Sequence, residues 1–296
     1  MTYRASTIKR TRRTKAQIEQ LDRQIIEVLA ADHPQSVRHV FYRMTDPRLP
    51  EPVEKSDRGY RHVQHRCVEL RRSGAIPYGW IADATRRGYF TPTYANAGDF
   101  VKRMNAYYRA DLWADAHHYV EVWTESRSIA SVLQEDCADL AVSLYPCGGF
   151  SSISFAHDAA EYVNNNVDDY LDMIVIYIGD HDPAGVLIDG ALERELRTHL
   201  DPDRRMTFRR LAITQEQIAL YDLPTKPRKA SDKRALHIDV AVEAESMPAH
   251  VLRRLVRDAV EDYLPADALE VTKVAEESER NYLMQMAAIM SARGQA

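Results

Sequence analysis

The feature that most constrains the fold is an apolar run, MIVIYI, that leads into Gly179 and then into Asp180, His181 and Asp182. An uninterrupted apolar run of this length is typical of a strand buried on both faces, as in parallel sheets covered by helices. Binding sites in such sheets lie at the carboxyl ends of the strands. The run therefore predicts an α/β fold with a polar site immediately after this strand.

Strand-like and helix-like patterns alternate on either side of this run. Strands are expected at YVEVWT, AVSLYP and MTFRRLAI, with a further strand at LHIDVAVEAE, and helices are expected between the first four strands. The order strand, helix, strand, helix, strand favours a parallel sheet. Two helices are expected to close the chain.

Charge is distributed unevenly along the chain. Residues 1–110 contain 21 Lys and Arg against 11 Asp and Glu, whereas the remainder contains 18 against 33. A basic front half suits a polyanion such as DNA, and an acidic rear half repels phosphate unless its carboxylates hold cations. Residues 1–14 carry five basic and no acidic side chains, so they are expected to form a flexible arm that tracks a phosphate backbone.

Three helical patterns follow the arm. Thr14 and Ser36 are placed to cap the first two helices, and Gly74 is placed to end the third. The next segment, IPYGWIAD, predicts a short strand or wing. Three short helices with a basic third helix predict a winged helix-turn-helix whose last helix enters the major groove. The candidate DNA contacts on or after that helix are Arg61, Arg66, Arg71 and Arg72.

Carboxylates follow two of the predicted strands. Asp180 and Asp182 are two residues apart, so in an extended segment both side chains point to one side. Glu125 comes directly after YVEVWT and lies at the same edge of a parallel sheet, whereas Glu121 lies within that strand and is the weaker candidate ligand. A divalent cation such as Mg²⁺ relieves the repulsion between clustered carboxylates. The structural alternative for the aspartates is an Asx-type turn between strand and helix.

A Glu after the first strand, a Gly-containing turn (Gly148 and Gly149) after the second and DxD after the third resemble a Toprim domain. The resemblance implies that Glu125, Asp180 and Asp182 hold Mg²⁺, with Mn²⁺ as the alternative ion. The longer string Asp-His-Asp-Pro-Ala-Gly is similar to the DxDPxG form in the A-type subunit of DNA topoisomerase VI and its relatives, which include the enzyme that starts meiotic recombination.

In that family a winged helix carries the nucleophilic tyrosine, four residues after an arginine, and VRHVFYRM supplies Arg38 and Tyr42 at this spacing. Helical periodicity independently predicts that these two side chains are exposed on one face. The apolar stripe is expected to consist of Val37, Val40, Phe41 and Met44.

The resemblance implies DNA cleavage by transesterification, as in a type IIB topoisomerase. Tyr42 would attack a backbone phosphorus and form a 5′-phosphotyrosyl link, with Arg38 and the metal at Glu125 stabilising the charge on the phosphate. It also implies a homodimer acting on double-stranded DNA. No ATP site is expected in this chain, so an ATP-driven cycle would need a separate ATPase subunit of the B type. One departure is Ser126, where the family often has lysine.

The expected fold class is α/β, with an N-terminal helical, CAP-like winged-helix domain and a C-terminal Toprim domain with a parallel sheet. The expected boundaries are an arm at 1–14, the winged helix at 15–95, a linker at 96–116, and the Toprim domain with a C-terminal extension at 117–296. Further phosphate contacts are expected from Arg127 and from the basic loop with Lys226, Arg228, Lys229, Lys233 and Arg234.

Two other functions remain open on the residues alone. One is a Toprim nuclease that hydrolyses DNA with water, in which Tyr42 is structural; the other is a DNA-binding module without catalysis. No membrane helix or secretory signal is expected, which predicts a cytoplasmic protein. The three cysteines, Cys67, Cys137 and Cys147, are too widely spaced for a CxxC site and are expected to be reduced and buried.

Overall fold

The computed structural model describes residues 13–82, 91–148, 153–227, 235 and 238–293. These residues separate into two compact units. The front unit comprises Met1–Asp83 and Glu245–Val251, and the sheet unit comprises Ala84–Ala244 and Leu252–Ala296. Most of the predicted basic arm, residues 1–12, lies outside the described residues.

The front unit contains three helices whose starts are fixed by side-chain caps. Thr14 accepts a hydrogen bond from the Gln17 N–H, and the Gln17 side chain accepts from the Thr14 N–H in return, which completes a capping box. Ser36 caps the second helix as predicted, and Ser56 caps the third. The helices are α1 (Lys15–Ala31), α2 (Val37–Met44) and α3 (Asp57–Arg72).

Apolar side chains from all three helices form the core of the front unit. The inner face of α3 consists of Val63, Cys67 and Leu70, all of which are buried. Gly74 follows α3 with a φ of 75°, in the left-handed region that favours glycine, as expected for a residue that ends a helix.

The predicted strand or wing at IPYGWIAD is wrong for the residues that the structure describes there. Tyr78–Trp80 form a 3₁₀ turn, and Ile81 makes one isolated parallel bridge to Gln35. The Arg71 guanidinium donates hydrogen bonds to the carbonyls of Tyr78 and Ile81, so these acceptors are already occupied. The front unit is therefore a three-helix unit, and its assignment as a winged helix stays a prediction.

The sheet unit is an α/β structure, as predicted. Its central sheet has four strands in the order β2-β1-β3-β4, and every neighbouring pair is parallel. The elements along the chain are α4 (Ala97–Met104), β1 (His118–Thr124), α5 (Arg127–Asp139), β2 (Ser143–Pro146), α6 (Ile153–Asn166), β3 (Asp172–Ile178), α7 (Gly185–His199), β4 (Met206–Ala212), α8 (Gln215–Leu220), β5 (Lys226–Pro227), β6 (Val240–Ala241), α9 (Ala249–Glu261) and α10 (Ala268–Arg293).

The strand β3 is the apolar run from which the fold was inferred, and it is buried from Met173 to Ile178. One of its faces packs against α6 and α7, through Ala156, Ala160, Ile188 and Leu192. Among the described residues of LHIDVAVEAE the strand is shorter than predicted: Val240–Ala241 pair antiparallel to β5, and Val242 forms an isolated antiparallel bridge to His181. Within the described ranges, no helix is both long and apolar enough to cross a lipid bilayer. All three cysteines are free and buried, as expected.

The predicted linker at 96–116 is wrong in its first part, because α4 packs along α10 within the sheet unit. The two helices approach closely at Gly98. A Cβ at this position would meet the Ser291 side chain and would lie 2.6 Å from the Ala287 carbonyl oxygen. The pattern of residues 88–116 indicates helical character but cannot show that the partner helix lies almost two hundred residues later.

We expect the Gly98→Ala variant to lower the free energy of unfolding by about 1–3 kcal/mol, because the added methyl group overpacks the contact between α4 and α10. Gly190→Ala is the matched control. Gly190 also lies in a helix, but the nearest atom to an added Cβ is the end of the flexible Arg194 side chain, at 3.5 Å. There the replacement should stabilise by about 0.5–1 kcal/mol. Chemical denaturation of both variants checks this, and equal effects would contradict the described packing.

Candidate functional site

The register of β1 and β3 brings two acidic positions to one edge of the sheet. The strands pair without a shift from His118 opposite Asp172 to Thr124 opposite Ile178. Glu125 follows β1 directly, and its N–H donates to the Ile178 carbonyl at 2.8 Å. The Glu125 main chain is therefore fixed as a continuation of the strand pairing, at the carboxyl end where parallel sheets place their sites.

The turn after β2 holds the other side of Glu125. The Gly148 N–H donates to the Glu125 carbonyl at 2.9 Å, and Gly148 has a φ of 67°. A side chain at that position would be strained, which explains the glycine in this turn. Gly148 therefore shapes a tight turn as predicted, and Gly149 lies outside the described residues.

The segment Gly179–Gly185, here called the acidic loop, carries the two aspartates. The Asp180 N–H donates to Glu125 Oε2 at 3.0 Å, so the first two predicted ligands are in direct contact. The Ala244 N–H donates to Asp180 Oδ1 at 2.8 Å. His181 exchanges two main-chain hydrogen bonds with Val242. The loop is thus tied to β1 and to a segment that follows it by about sixty residues.

Asp182 forms the Asx-type turn that was the structural alternative. Its Oδ1 accepts from the N–H groups of Ala184, at 2.9 Å, and Gly185, at 2.6 Å, at the start of α7. Backbone N–H groups therefore orient one oxygen in each of the three carboxylates. A carboxylate offers about four acceptor positions, so this orientation is compatible with a cation bound to the same group.

The donor set of Glu125, Asp180 and Asp182 consists of hard oxygens, which is the chemistry that Mg²⁺ and Mn²⁺ select. The loop is tightly packed at Gly185, because a Cβ there would collide with the Asp180 carbonyl oxygen and would lie 3.3 Å from Asp182 Oδ1. In the described part of the chain, no three His, Cys, Asp or Glu side chains already stand as a ligand group. Convergence of the three carboxylates on one cation stays a prediction.

Two further side chains near the acidic loop, those of His181 and Tyr177, are buried. His181 is buried, and burial lowers the pKa of its imidazole, which bonds to the Ile213 main chain rather than to the carboxylates. The Tyr177 hydroxyl is buried with no hydrogen-bond partner among the described residues, and it would lie 2.7 Å from a Cβ on Gly179. It is thus a polar atom without a protein partner directly beside the acidic loop.

Arg210 on β4 is a residue of this site that the sequence patterns did not indicate. Its guanidinium donates to the carbonyls of Gly179, at 3.1 Å, Asp180, at 3.3 Å, and Gly185, at 2.8 Å. Its Nε donates to Asp189 Oδ2 at 2.7 Å. The sequence did contain a signal for this residue. The predicted strand MTFRRLAI has two successive arginines, and because successive side chains point to opposite faces of a sheet, one of the two must face inward.

Glu121, the weaker ligand candidate, is fully buried inside β1 and makes no part of the acidic edge. Its carboxylate accepts hydrogen bonds from Trp123 Nε1, at 2.7 Å, and from the Tyr119 hydroxyl, at 2.9 Å, and it also bonds to Tyr145. Burial raises the pKa of this carboxyl from its usual 4.5 to about 7. This carboxyl group, which lies in the core of the sheet, is therefore protonated at mildly acidic pH.

The predicted exposure of Tyr42 is wrong. Its side chain is only 5% exposed and belongs to the core of the front unit, whereas Arg38 is exposed. The chain after α2 folds back over the helix: the Val53 N–H bonds to the Met44 carbonyl, and Lys55 Nζ lies 5.4 Å from the centre of the Tyr42 ring. A helix covered on several sides buries more than the one stripe that its periodicity predicts.

The predicted DNA contacts fall into three groups. Arg66 forms a two-point ion pair with Asp22 at 2.7 Å, and Arg71 binds the carbonyls of the 78–81 turn, so both hold the front unit together. Exposed side chains are found at Arg61, Arg72, Arg127 and Lys226, although Arg72 pairs with Glu69 and Lys226 with Glu243. The described residues do not include Arg228, Lys229, Lys233 and Arg234.

The front unit also has a groove with a volume of about 700 Å³ along α3. Its lining contains five basic or histidine side chains, Arg13, Arg58, Arg61, His62 and His65, together with the acidic side chains of Glu51 and Glu54, and Arg13 pairs with Glu51. Arg58 was not among the predicted DNA contacts, although it shares a face of α3 with Arg61 and His65.

Comparisons with known proteins add no family to this description. The chain matches no protein-family model, no curated protein and no solved structure. The likeness to Toprim domains and to the A-type subunit of topoisomerase VI therefore rests on the motifs alone, and function has to be inferred from the geometry of the chain.

We expect the stability of the protein to fall as the pH rises from 4.5 toward 7, in proportion to deprotonation of Glu121. The folded state holds this proton more tightly than the unfolded state, so the contribution is complete below pH 4.5 and is lost through the folded pKa of about 7. Over that window the loss is roughly 3 kcal/mol. Denaturation of wild type and Glu121→Gln from pH 4.5 to 8 measures the difference, and the exposed Glu135→Gln is the control. Parallel curves for Glu121→Gln and wild type would contradict the assignment.

Proposed function

We propose that this chain cleaves phosphodiester bonds in DNA, with Glu125, Asp180 and Asp182 as the residues that hold a divalent cation. The single observation that carries the proposal is the hydrogen bond from the Asp180 N–H to Glu125, which joins the carboxyl ends of two adjacent parallel strands at an acidic edge. The resemblance to Toprim domains supports the same assignment.

The chain's own residues would bind and orient the reacting groups. Glu125 and Asp180 have their carboxylates fixed by main-chain N–H groups, so little reorganisation accompanies binding of a cation and a phosphate. When bound, Mg²⁺ or Mn²⁺ supplies Lewis-acid stabilisation of the charge on the phosphate and activates a water.

The burial of Tyr42 in the front unit favours water as the nucleophile. Tyr42 is 5% exposed and belongs to the core of the front unit, so most of its side chain is shielded from a DNA phosphate. In the hydrolytic reaction the water oxygen bonds to phosphorus and releases a proton to solvent, the bond from phosphorus to one ester oxygen breaks, and that oxygen takes up a proton from solvent and leaves as a hydroxyl. Tyr42 then has a packing role in α2.

Transesterification through Tyr42 is the second candidate, in the manner of a type IIB topoisomerase, with the chain working as a homodimer. One observation favours it: Lys55 lies over the Tyr42 ring, and Arg38 is exposed one turn earlier on α2. Cations near a phenol stabilise its ionised form. In this reaction the Tyr42 oxygen bonds to the phosphorus, its proton passes to solvent, and the 3′ oxygen leaves as a hydroxyl.

DNA would be recognised through the basic groove of the front unit. Arg58, Arg61 and His65 line it from one face of α3. Side chains of this kind contact phosphates and position a duplex without reading its sequence. Binding should therefore weaken steeply as the salt concentration rises.

We expect Glu125→Gln, Asp180→Asn and Asp182→Asn each to reduce cleavage of supercoiled plasmid in Mg²⁺ or Mn²⁺ by about 100-fold or more. The physical reason is the loss of several kcal/mol of charge stabilisation on the phosphate. Asp172→Asn is the matched control, since Asp172 lies at the opposite end of β3 in a solvent-accessible pair with Arg205. It should cleave like wild type. Wild-type protein that binds plasmid but leaves it intact would instead favour a DNA-binding module without catalysis.

Tyr42→Phe distinguishes the two nucleophiles. If water attacks, this variant cleaves within about threefold of wild type, and wild type leaves no protein on the DNA after denaturation. Labelled DNA quenched in detergent and resolved on a denaturing gel reads both results at once. A covalent adduct that disappears in Tyr42→Phe but persists in the Tyr60→Phe control would establish transesterification instead.

A further inference from the structure

The acidic loop is held by a guanidinium on the neighbouring strand. Arg210 bonds to the carbonyls of Gly179 and Asp180 at one end of the loop and to the carbonyl of Gly185 at the other. The guanidinium of this one side chain therefore contacts both ends of the segment that carries the two aspartates. Five N–H donors in a planar fork make arginine the side chain suited to several carbonyls at once.

The guanidinium is itself fixed in place. Its Nε bonds to Asp189 on α7, it stacks against the Tyr177 ring with 5.3 Å to the ring centre, and its side chain is 17% exposed. Asp189 in turn accepts the Gly190 N–H. A partly buried cation with a charged partner and several carbonyl acceptors has few alternative positions.

We propose that Arg210 is the positioning residue for the metal site, a role that rests on the proposed function. It fixes the main chain of the acidic loop so that Asp180 and Asp182 are oriented before a cation arrives. Arg210 does not contact the cation; it acts through the carbonyls of the loop. Residues that orient metal ligands in this way typically change metal affinity by about 10- to 100-fold when they are replaced.

The test compares Arg210→Gln with Arg209→Gln. Arg209 precedes Arg210 on β4, is exposed and faces the other side of the sheet, so it is a matched control. Mn²⁺ binding to the DNA-free protein is measured by electron paramagnetic resonance. We expect Arg210→Gln to bind Mn²⁺ about 10- to 100-fold more weakly, Arg210→Lys to recover part of the loss, and Arg209→Gln to match wild type.

Hydrogen exchange of the metal-free protein gives a second readout. Peptides that cover residues 179–187 should exchange faster in Arg210→Gln than in wild type, while peptides from β1 and β3 stay protected. If Arg210→Gln fails to fold, Arg210→Lys and Asp189→Asn carry the comparison, since Asp189→Asn retains the arginine and loosens its anchor. Unchanged exchange in the loop overturns the proposal.

The result for Asp180→Asn separates this inference from the proposed function. If wild type binds Mn²⁺ and Asp180→Asn does not, but Arg210→Gln binds like wild type, the positioning role is overturned and the metal site stands. If wild type and Asp180→Asn bind equally poorly, the metal site fails and the inference fails with it. Weaker binding and faster loop exchange in Arg210→Gln, with an unchanged Arg209→Gln, support it.

Discussion

The structure of the candidate site depends on the unshifted parallel pairing of β1 with β3. Because Thr124 lies opposite Ile178, the residues that leave the two strands meet, and the Asp180 N–H reaches the Glu125 carboxylate. A slip of one residue would turn every side chain of a strand to the other face of the sheet. The apolar side chains of β3 are buried, so the strand that forms the centre of the core also carries the acidic edge at its carboxyl end.

Local patterns in the sequence were sufficient for the four strands of the central sheet, for the first three helices and for the acidic positions at the strand ends. The apolar run gave β3, the caps at Thr14 and Ser36 gave the starts of two helices, and the carboxylates fell at strand ends as the order of the strands predicted. These features depend on residues that are close in the chain. The four-stranded parallel sheet follows from the same local alternation of strands and helices.

The contacts that anchor the site come from distant residues and could not be predicted in this way. Ala244 and Arg210 approach the acidic loop from later in the chain, and no spacing within the DxD motif indicates either of them. The same holds for α4 and α10, which pack together although one was expected to be part of a linker.

The burial of Tyr42 was also not predicted from the sequence. Helical periodicity identifies one apolar stripe, but α2 is covered on more than one side, partly by the segment that carries Val53 and Lys55. The strand expected at IPYGWIAD is likewise not formed by the described residues of that segment, where Arg71 binds the carbonyls of Tyr78 and Ile81. In both cases the local pattern alone did not predict the outcome.

We propose that Glu125, Asp180 and Asp182 would together hold one divalent cation at the ends of β1 and β3. An anomalous difference map from crystals soaked in Mn²⁺ would show this ion directly. We expect one strong peak with oxygens of Glu125, Asp180 and Asp182 at about 2 Å. A map without a peak at this edge, or with the ion held by other side chains, would contradict it.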